Sequence, residues 1–339
     1  MGPLSNRGKA FALVLLAPFL AELVSGSTAP EAWLLPWVLL VFMAIYGLSA
    51  LAIRELAIRT GGGPVAVIVL GLAFGLVNEG MAAHSLFNPA WPDVGVLGSY
   101  GRFAGVNWIW TEWIVPFHAV WSIAFPTFLV GALWPNSRGE RWISDRGVAL
   151  CVLGAIATAV STSLVFSEYP LSLVQWAGLF AAVAGLGGVA WRFSARLRDR
   201  LPFIGWVPTP RLAFVVGVLF FVVGQVGAWQ TPKLGPYPEV GFGLLALAFL
   251  GVALFASGFD RSPEGERARF AFVLGGVGFY VALSPLSEFV LGRIGLVPID
   301  AIVYLLLIRL YWSRARATSI AGGRSGPAAG PPPGAVGGV

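Results

Sequence analysis

Five polar side chains stand inside long apolar stretches of this sequence, where such groups are rare: Asn78, Glu79, Asn107, Glu112 and His118. A charged group in the middle of a bilayer costs about 2.5–3.5 kcal/mol, so it usually serves a substrate or ion pathway. A carboxylate and an imidazole at similar depth can bind a cation, pass a proton or activate water. We therefore take these five residues as a candidate substrate-binding site.

The apolar stretches that carry these residues predict a membrane protein. Of the 339 residues, 57% are hydrophobic and 11% are charged, whereas a soluble domain has about 25% charged residues. Each stretch is close to the ~20 residues that cross a bilayer as a helix. We predict an all-α polytopic bundle of about ten transmembrane helices, at approximately 10–25, 32–53, 64–87, 106–134, 147–166, 171–191, 212–229, 240–259, 270–291 and 297–312.

The basic residues alternate between the predicted loops. Of the 22 Lys and Arg residues, only Arg102, Lys233 and Arg293 fall on one side of the predicted membrane. Because cytoplasmic loops carry excess Lys and Arg, this pattern predicts that both termini are cytoplasmic and that the protein lies in the inner (plasma) membrane. The net charge of +6 is spread over these loops, where it faces anionic lipid rather than nucleic acid. The lipid bilayer is therefore the predicted partner.

Two domains follow from this composition. Residues 8–312 form the predicted transmembrane helical domain, and the Gly/Pro/Ala-rich residues 313–339 form a predicted disordered cytoplasmic tail. The basic start and the small residues Ser25, Gly26 and Ser27 are also typical of a signal peptide, whose removal would leave nine spans. A faint echo relates Glu22 and Thr28 to Gln225 and Thr231, which we interpret as chance matching of apolar helices.

The candidate residues cluster in the outer half of the predicted membrane. Glu79 lies about 22 Å along the third span from its start at Pro64, and His118 lies near the middle of the fourth. Asn107 and His118 share a helical face, beside a kink expected at Pro116. Glu112 is nearer the outer surface. We interpret this face as lining a cavity or a helix contact rather than facing lipid.

Small residues predict how the third and fourth spans pack. Gly71, Gly75 and Glu79 share one face of the third span, so a partner helix can approach closely. We infer that the two spans pack together, with Glu79 near His118 or Glu112. Glu22, His84 and Glu288, near helix ends, are interpreted as interfacial residues. Four tryptophans are expected to form an aromatic belt at the outer surface: Trp91, Trp108, Trp110 and Trp113.

The sequence does not contain the motifs of several common metal, nucleophile and nucleotide sites. The two histidines, His84 and His118, are not in a His-Glu-x-x-His arrangement, and the single cysteine, Cys151, excludes cysteine-based metal sites. No serine-nucleophile elbow, phosphate loop or dinucleotide fingerprint is present. The sequence therefore predicts no metal site and identifies no cofactor.

The segment from Glu79 to Pro126 resembles an uncharacterised family of prokaryotic polytopic membrane proteins. The resemblance rests on Glu79-Gly80, Ser85-Leu86-Phe87-Asn88-Pro89, Gly105-Val106-Asn107-Trp108 and Phe117-His118-Ala119. A more distant similarity is to the CAAX-protease and bacteriocin-immunity family of intramembrane peptidases. That similarity implies that Glu79 matches its second glutamate and His118 a histidine. Asn78 and Ala83 replace its first glutamate and its arginine, and its third histidine is absent.

Three functions fit this pattern. The first is transport of a small solute or ion, with Glu79 and His118 binding it or relaying protons and with Asn78, Asn107 and Glu112 nearby. The second is an intramembrane hydrolase or lipid-modifying enzyme, with Glu79 as general base and His118 orienting water. The third is a structural or partner-binding protein, in which the polar cluster joins helices. The sequence leaves the substrate, the coupling ion and the oligomeric state open.

Overall fold

The computed structural model describes residues 4–200 and 206–323, which are mostly helical. Ten helices follow one another along the chain: α1 (6–24), α2 (Pro36–Arg59), α3 (Gly63–Ala82), α4 (Trp108–Leu133), α5 (Asp145–Phe166), α6 (Leu173–Asp199), α7 (Pro210–Leu234), α8 (Pro238–Ala256), α9 (Pro263–Leu291) and α10 (Leu296–Gly323). Between α3 and α4, strand β1 (Arg102–Phe103) pairs with antiparallel strand β2 (Val106–Asn107). Short 3-10 turns lie at Pro30–Leu34, Pro92–Gly98 and Pro135–Ser137.

The helices α2 to α10 are long and apolar enough to cross a membrane, which makes nine such helices among the described residues. Helix α1 is also continuous, but Arg7, Lys9 and Glu22 lie along it, so it is less apolar than the others. The predicted all-α polytopic bundle is confirmed.

The core of the bundle lies around α4. Helices α3, α4 and α9 are the most buried, whereas α6, α8 and α10 face outward along most of their length. Trp113 and Trp121 of α4 are fully buried, and Trp121 packs against Tyr280 of α9 with ring centroids 4.5 Å apart. The outward faces carry exposed leucines such as Leu247 and Leu305, as expected for surfaces that contact lipid.

Helices α3 and α4 pack closely, as the glycine pattern predicted. A Cβ atom at Gly71 would lie 2.8 Å from the Cα of Ala119, and one at Gly75 would lie 2.8 Å from the carbonyl oxygen of Val115. Neither contact has room for a larger side chain, since both neighbours are backbone atoms. This packing brings the second half of α3 against the first half of α4.

Five helices contain a π-helical segment, counted over the described residues: Phe19–Val24 in α1, Met43–Gly47 in α2, Leu76–Ala82 in α3, His118–Ala124 in α4 and Val222–Gly227 in α7. Such segments are rare, and they occur often at functional sites because they widen one turn and free its hydrogen bonds. The segments in α1 and α7 hold Glu22 and Gln225, so the faint sequence echo coincides with the same local structure.

Helix α10 extends beyond the predicted end of the last span. The helix continues past Trp312 to Gly323, because the Arg- and Ala-rich residues after Ser313 favour a helix. Arg267 of α9 donates to the carbonyl oxygen of Ala315 at 2.9 Å, and Arg314 donates to that of Leu133 at 2.8 Å. The rest of the predicted tail, 324–339, lies outside the described residues.

A buried ion cluster fixes the inner end of α2, which extends past the predicted end at Ile53. Glu55 is fully buried between Arg54 and Arg59, whose Nη1 lies 2.6 Å from Glu55 Oε2. The backbone N–H of Trp142 also donates to Glu55, at 2.9 Å, and the Arg54 guanidinium lies 3.5 Å from the centre of the Trp142 ring. Because these charged residues are paired, α2 continues through them to Arg59 inside the protein. Hydropathy alone predicted that the helix ends before them.

Candidate functional site

Glu79 and His118 are in direct contact at the centre of the site. Nε2 of His118 lies 2.7 Å from Oε1 of Glu79, and both side chains are buried. Both residues belong to π-helical segments, Glu79 in α3 and His118 in α4. The close packing at Gly71 and Gly75 positions the two segments side by side. From the sequence we inferred that Glu79 lies near His118 or Glu112, and the structure shows the contact with His118.

Asn78 extends this pair towards α2 and α1. Its Nδ2 lies 3.1 Å from Glu79 Oε1, 3.2 Å from His118 Nε2 and 3.3 Å from the hydroxyl of Tyr46. The Tyr46 hydroxyl in turn donates to Oε1 of Glu22. Side chains from four helices therefore form one hydrogen-bonded chain, which we call the Glu22–His118 network and which runs Glu22, Tyr46, Asn78, Glu79, His118.

Each of the five network residues lies in a π-helical segment of its helix. The position of Tyr46 is also set by ring contacts, with Phe74 at 5.6 Å and with His118 at 6.2 Å between centroids. The widened turns and the aromatic contacts together bring the five polar groups within bonding distance. A regular helix would place the residues after each widened turn on another face.

Hydroxyl groups close the network at its edges. Thr28 donates to the second oxygen of Glu22 at 2.6 Å, and Ser85 donates to the second oxygen of Glu79. Ser85 also accepts a hydrogen bond of 3.0 Å from the indole of Trp110. Trp110 and Trp113 are buried, so the expectation that both belong to an exposed aromatic belt is wrong, because both pack inward on the helices around them.

Both carboxylates of the network lack a basic partner other than His118. In the part of the chain that the structure describes, Glu22 is bonded by Tyr46 and Thr28, and Glu79 by His118, Ser85 and Asn78. A buried carboxylate is stable only when its charge is compensated. The network therefore contains two carboxylates and one imidazole, and the imidazole contacts only Glu79.

His118 can hold a proton on either ring nitrogen without moving. Its Nδ1 lies 2.9 Å from the hydroxyl of Ser122, which can donate or accept by rotating about its C–O bond. When Nε2 carries the proton, it donates to Glu79. When Glu79 carries it, the carboxylic acid donates to Nε2. The pair can therefore exchange a proton over 2.7 Å.

One end of the network is nearer the protein surface than the other. Glu22 is partly exposed, beside Ser27, which is exposed, whereas Glu79 is 7% and His118 is 4% exposed. The accessible end is therefore at Glu22, where α1 ends, and the closed end is at His118, inside the bundle.

The two other predicted site residues lie outside the network. Asn107 precedes α4, where its side chain accepts from the backbone N–H of Trp110 at 2.9 Å and donates to the carbonyl oxygen of Leu97. It therefore fixes the loop before α4 and does not share a helical face with His118. Glu112 is half-buried on α4, and one of its oxygens is buried with no hydrogen-bond partner among the described residues. In the same part of the chain, no hydrogen bond joins Asn107 or Glu112 to Glu79 or His118.

His84 joins the end of α3 to α5 and the loop that follows. Its Nε2 lies 2.7 Å from the hydroxyl of Ser163, and its Nδ1 lies 2.6 Å from the carbonyl oxygen of Tyr169. His84 has a φ of +60°, in the left-handed region that most residues avoid. The two hydrogen bonds hold this conformation, so His84 is a structural connection rather than the interfacial residue that we expected.

The sequence did not identify Glu22 and Tyr46 as part of the site. Glu22 was recognised as a costly residue but was interpreted as interfacial, and Tyr46 carried no signal. Their roles depend on contacts among α1, α2 and α3, which a single sequence does not reveal. Within the described residues, no group of three or more His, Cys, Asp or Glu side chains could hold a metal ion.

Comparison with known proteins places the chain in a family but gives it no activity. The chain matches no curated protein and no solved structure. The distant resemblance to CAAX-protease and bacteriocin-immunity peptidases gains no support from these comparisons. The model of a membrane protein family matches residues 11–259, a range that includes the whole Glu22–His118 network. The chain belongs to this uncharacterized membrane protein family.

Proposed function

We propose that this protein transports a small solute or ion, and that the Glu22–His118 network carries the protons or cations that move with it. The observation that carries the proposal is the unbroken hydrogen-bonded chain between two carboxylates, made by α1, α2, α3 and α4. Buried ionisable groups inside transmembrane helices mark ion and proton pathways in membrane proteins.

The order of donors and acceptors links the hydrogen bonding of the two carboxylates. Tyr46 donates to Glu22 and accepts from Asn78, and Asn78 also donates to Glu79. A cation that reaches Glu22 can displace the Tyr46 proton from that carboxylate, and the hydroxyl is then free to turn. The charge of one carboxylate is thus coupled to the hydrogen bonding of the other through two side chains.

The π-helical segments support a site that changes conformation. A widened turn has fewer ordinary helical hydrogen bonds, so it converts to an α-helical turn more readily than a regular helix bends. Four such turns surround the network. Their conversion would change the relative positions of Glu22, Tyr46 and Glu79, which alternating access to a site requires.

Proton flux in proteoliposomes tests this proposal. The full-length protein is reconstituted with a pH-sensitive dye inside, and a potassium gradient with valinomycin makes the interior negative. The expected result is acidification with the wild type and loss of it with Glu79→Gln. Glu239→Gln, an exposed carboxylate of α8, is the matched control and should behave as the wild type. Equal flux through Glu79→Gln and the wild type would contradict the proposal.

A further inference from the structure

A second buried carboxylate lies outside the Glu22–His118 network. Asp300 is the fifth residue of α10 and has no exposed surface. Neither of its carboxylate oxygens has a hydrogen-bond partner among the described residues. Most buried polar groups in proteins are hydrogen-bonded, and an unsatisfied one calls for a ligand or another explanation.

Ser284 of α9 lies close to Asp300 but is a neutral partner for it. The buried Ser284 hydroxyl lies 2.9 Å from the carbonyl oxygen of Val281, to which it donates. By rotating, the hydroxyl can donate its one proton to that carbonyl or to Asp300, but not to both. Ser284 therefore supplies at most one hydrogen bond and no compensating charge to Asp300.

No basic side chain compensates Asp300. Helix α10 packs against α9 and against the π-helical end of α1, whose titratable groups on this side are Tyr280, Glu288 and Glu22. The other titratable groups of α9 lie near its start, where Arg267 bonds Ala315 at the far end of α10: Glu264, Glu266, Arg267 and Arg269. Glu288 accepts from the backbone N–H of Val297 at 2.9 Å, and Glu22 is bonded to Tyr46 and Thr28. Arg293, in the loop before α10, donates instead to the carbonyl oxygen of Ser27.

On α10 itself, the nearest titratable group along the helix is Tyr304, one turn further from its start, whose hydroxyl lies against Gly278 of α9. Tyr280 faces the aromatic core beside Trp121. None of these groups bonds Asp300 in the part of the chain that the structure describes.

We propose that Asp300, with Ser284, binds a monovalent cation, either a proton or Na⁺, near the end of α10 that joins α9. An ionised carboxylate in this position would be buried without a counter-ion, which is unfavourable in a low-dielectric interior. When protonated, the Asp300 carboxyl group would donate to the hydroxyl oxygen of Ser284. A sodium ion would be coordinated by both side chains.

The proposal does not depend on the transport function of the Glu22–His118 network. Asp300 shares no hydrogen bond with that network and lies beyond the residues 11–259 that match the family. Its test measures folding stability, so it can succeed or fail whatever the proton-flux experiment shows.

Thermal unfolding of the purified full-length protein tests the site. The buried thiol of Cys151 becomes reactive on unfolding, so a thiol-reactive fluorophore reports the melting temperature. A cation bound only by the folded state raises that temperature with its concentration. With Na⁺ as occupant, replacing choline chloride by NaCl should raise it by about 2–4 °C. With a proton as occupant, the melting temperature should fall as the pH rises, since unfolding then releases the proton.

Asp300→Asn separates these effects from those of every other group. The amide removes the charge at the same volume, so the variant should lose the Na⁺ or pH dependence that belongs to Asp300. Glu239→Gln, an exposed carboxylate in the first turn of α8, is the matched control and should retain the wild-type dependence. If Asp300→Asn and the wild type respond identically to both Na⁺ and pH, the proposal is overturned.

Carbodiimide labelling keeps the proposal testable if Asp300→Asn does not fold. A hydrophobic carbodiimide modifies protonated carboxyl groups inside membranes, and mass spectrometry of the wild type locates the adduct. An adduct on Asp300 that Na⁺ suppresses identifies sodium, and one that only alkaline pH suppresses identifies the proton. No adduct on Asp300, together with a wild-type melting temperature that is independent of both Na⁺ and pH, would overturn the proposal.

Discussion

The hydroxyl of Tyr46 on α2 donates a hydrogen bond to the carboxylate of Glu22 on α1. This bond is the only direct link between Glu22 and the rest of the Glu22–His118 network among the described residues. Among these residues, hydrogen bonds therefore connect Glu22 to Glu79 only through the hydroxyl of Tyr46.

Tyr46→Phe should interrupt the network while preserving the ring that packs on Phe74 and His118. We expect proton flux in proteoliposomes to fall by about tenfold or more, because the variant removes the hydrogen bonds that link the two carboxylates. The lost hydrogen bond should lower the free energy of unfolding by about 1–3 kcal/mol. Tyr280→Phe is the matched control, because Tyr280 is also buried but makes no hydrogen bond through its hydroxyl among the described residues. Flux that is equally low in both variants would show that the Tyr46 bond has no special role.

Glu79 and His118 should be energetically coupled. In a double-mutant cycle, Glu79→Gln and His118→Gln should be non-additive by about 1–3 kcal/mol in the free energy of unfolding, because each variant removes the same 2.7 Å contact. Glu112→Gln with His118→Gln should be additive, since Glu112 does not touch His118. If Glu79→Gln lowers stability but leaves proton flux intact, the pair only joins helices, as the structural alternative predicts.

Cysteine accessibility should differ along the network. With Cys151 replaced by Ala, a membrane-impermeant thiol reagent added outside cells should label Glu22→Cys at least about tenfold faster than His118→Cys, since Glu22 is partly exposed and His118 is buried. Ser27→Cys, in the exposed turn after α1, is the positive control and also tests the predicted orientation. Equally fast labelling at 118 and 27 would mean that water fills the site from outside.

The buried ion cluster at the inner end of α2 should be important for stability. Glu55→Gln leaves the buried Arg54 and the half-buried Arg59 without their main counter-ion, and we expect a loss of about 3–5 kcal/mol in the free energy of unfolding. Asp145→Asn removes an exposed carboxylate that also pairs with Arg59, and should leave the melting temperature close to that of the wild type, because exposed ion pairs contribute little to stability. Thermal unfolding read out by Cys151 compares the two, and similar losses would contradict the assigned role of Glu55.

The helical extension of α10 should contribute to packing. A chain truncated after Trp312 loses the contacts that Arg314 makes with Leu133 and that Ala315 makes with Arg267. Its melting temperature should be lower than that of a chain truncated after Gly323, by about 1–2 °C if two part-buried hydrogen bonds are lost. Identical melting temperatures would show that residues 313–323 do not stabilise the bundle.

The sequence predicted the helices and one contact of the site, and the reasons are physical. Hydropathy and length locate membrane helices, because the bilayer requires both. Gly71 and Gly75 then predicted which face of α3 meets α4, and Glu79 and His118 follow from that packing.

The rest of the site depends on features that no periodic pattern reveals. The prediction that Asn107 shares a face with His118 assumed that α4 begins before Asn107. The helix begins at Trp108, and a π-helical segment begins at His118. Glu22 and Tyr46 meet because α1 and α2 cross at widened turns. The sequence did not indicate that Asp300 is buried, because a carboxylate near the start of a helix usually reaches solvent. Here the packing of α9 and α1 against α10 buries it.

The π-helical segments also bear on how relatives of this chain should be aligned. Each widened turn contains one residue more than a regular α-helix of the same height, so it is equivalent to a single-residue insertion. Deleting that residue would rotate the part of the helix beyond it by about 100°. A relative with a one-residue gap in Phe19–Val24 could keep a glutamate in the aligned column and still direct it away from Tyr46. We therefore expect the insertion and the carboxylate together, rather than the carboxylate alone, to mark relatives that contain the network.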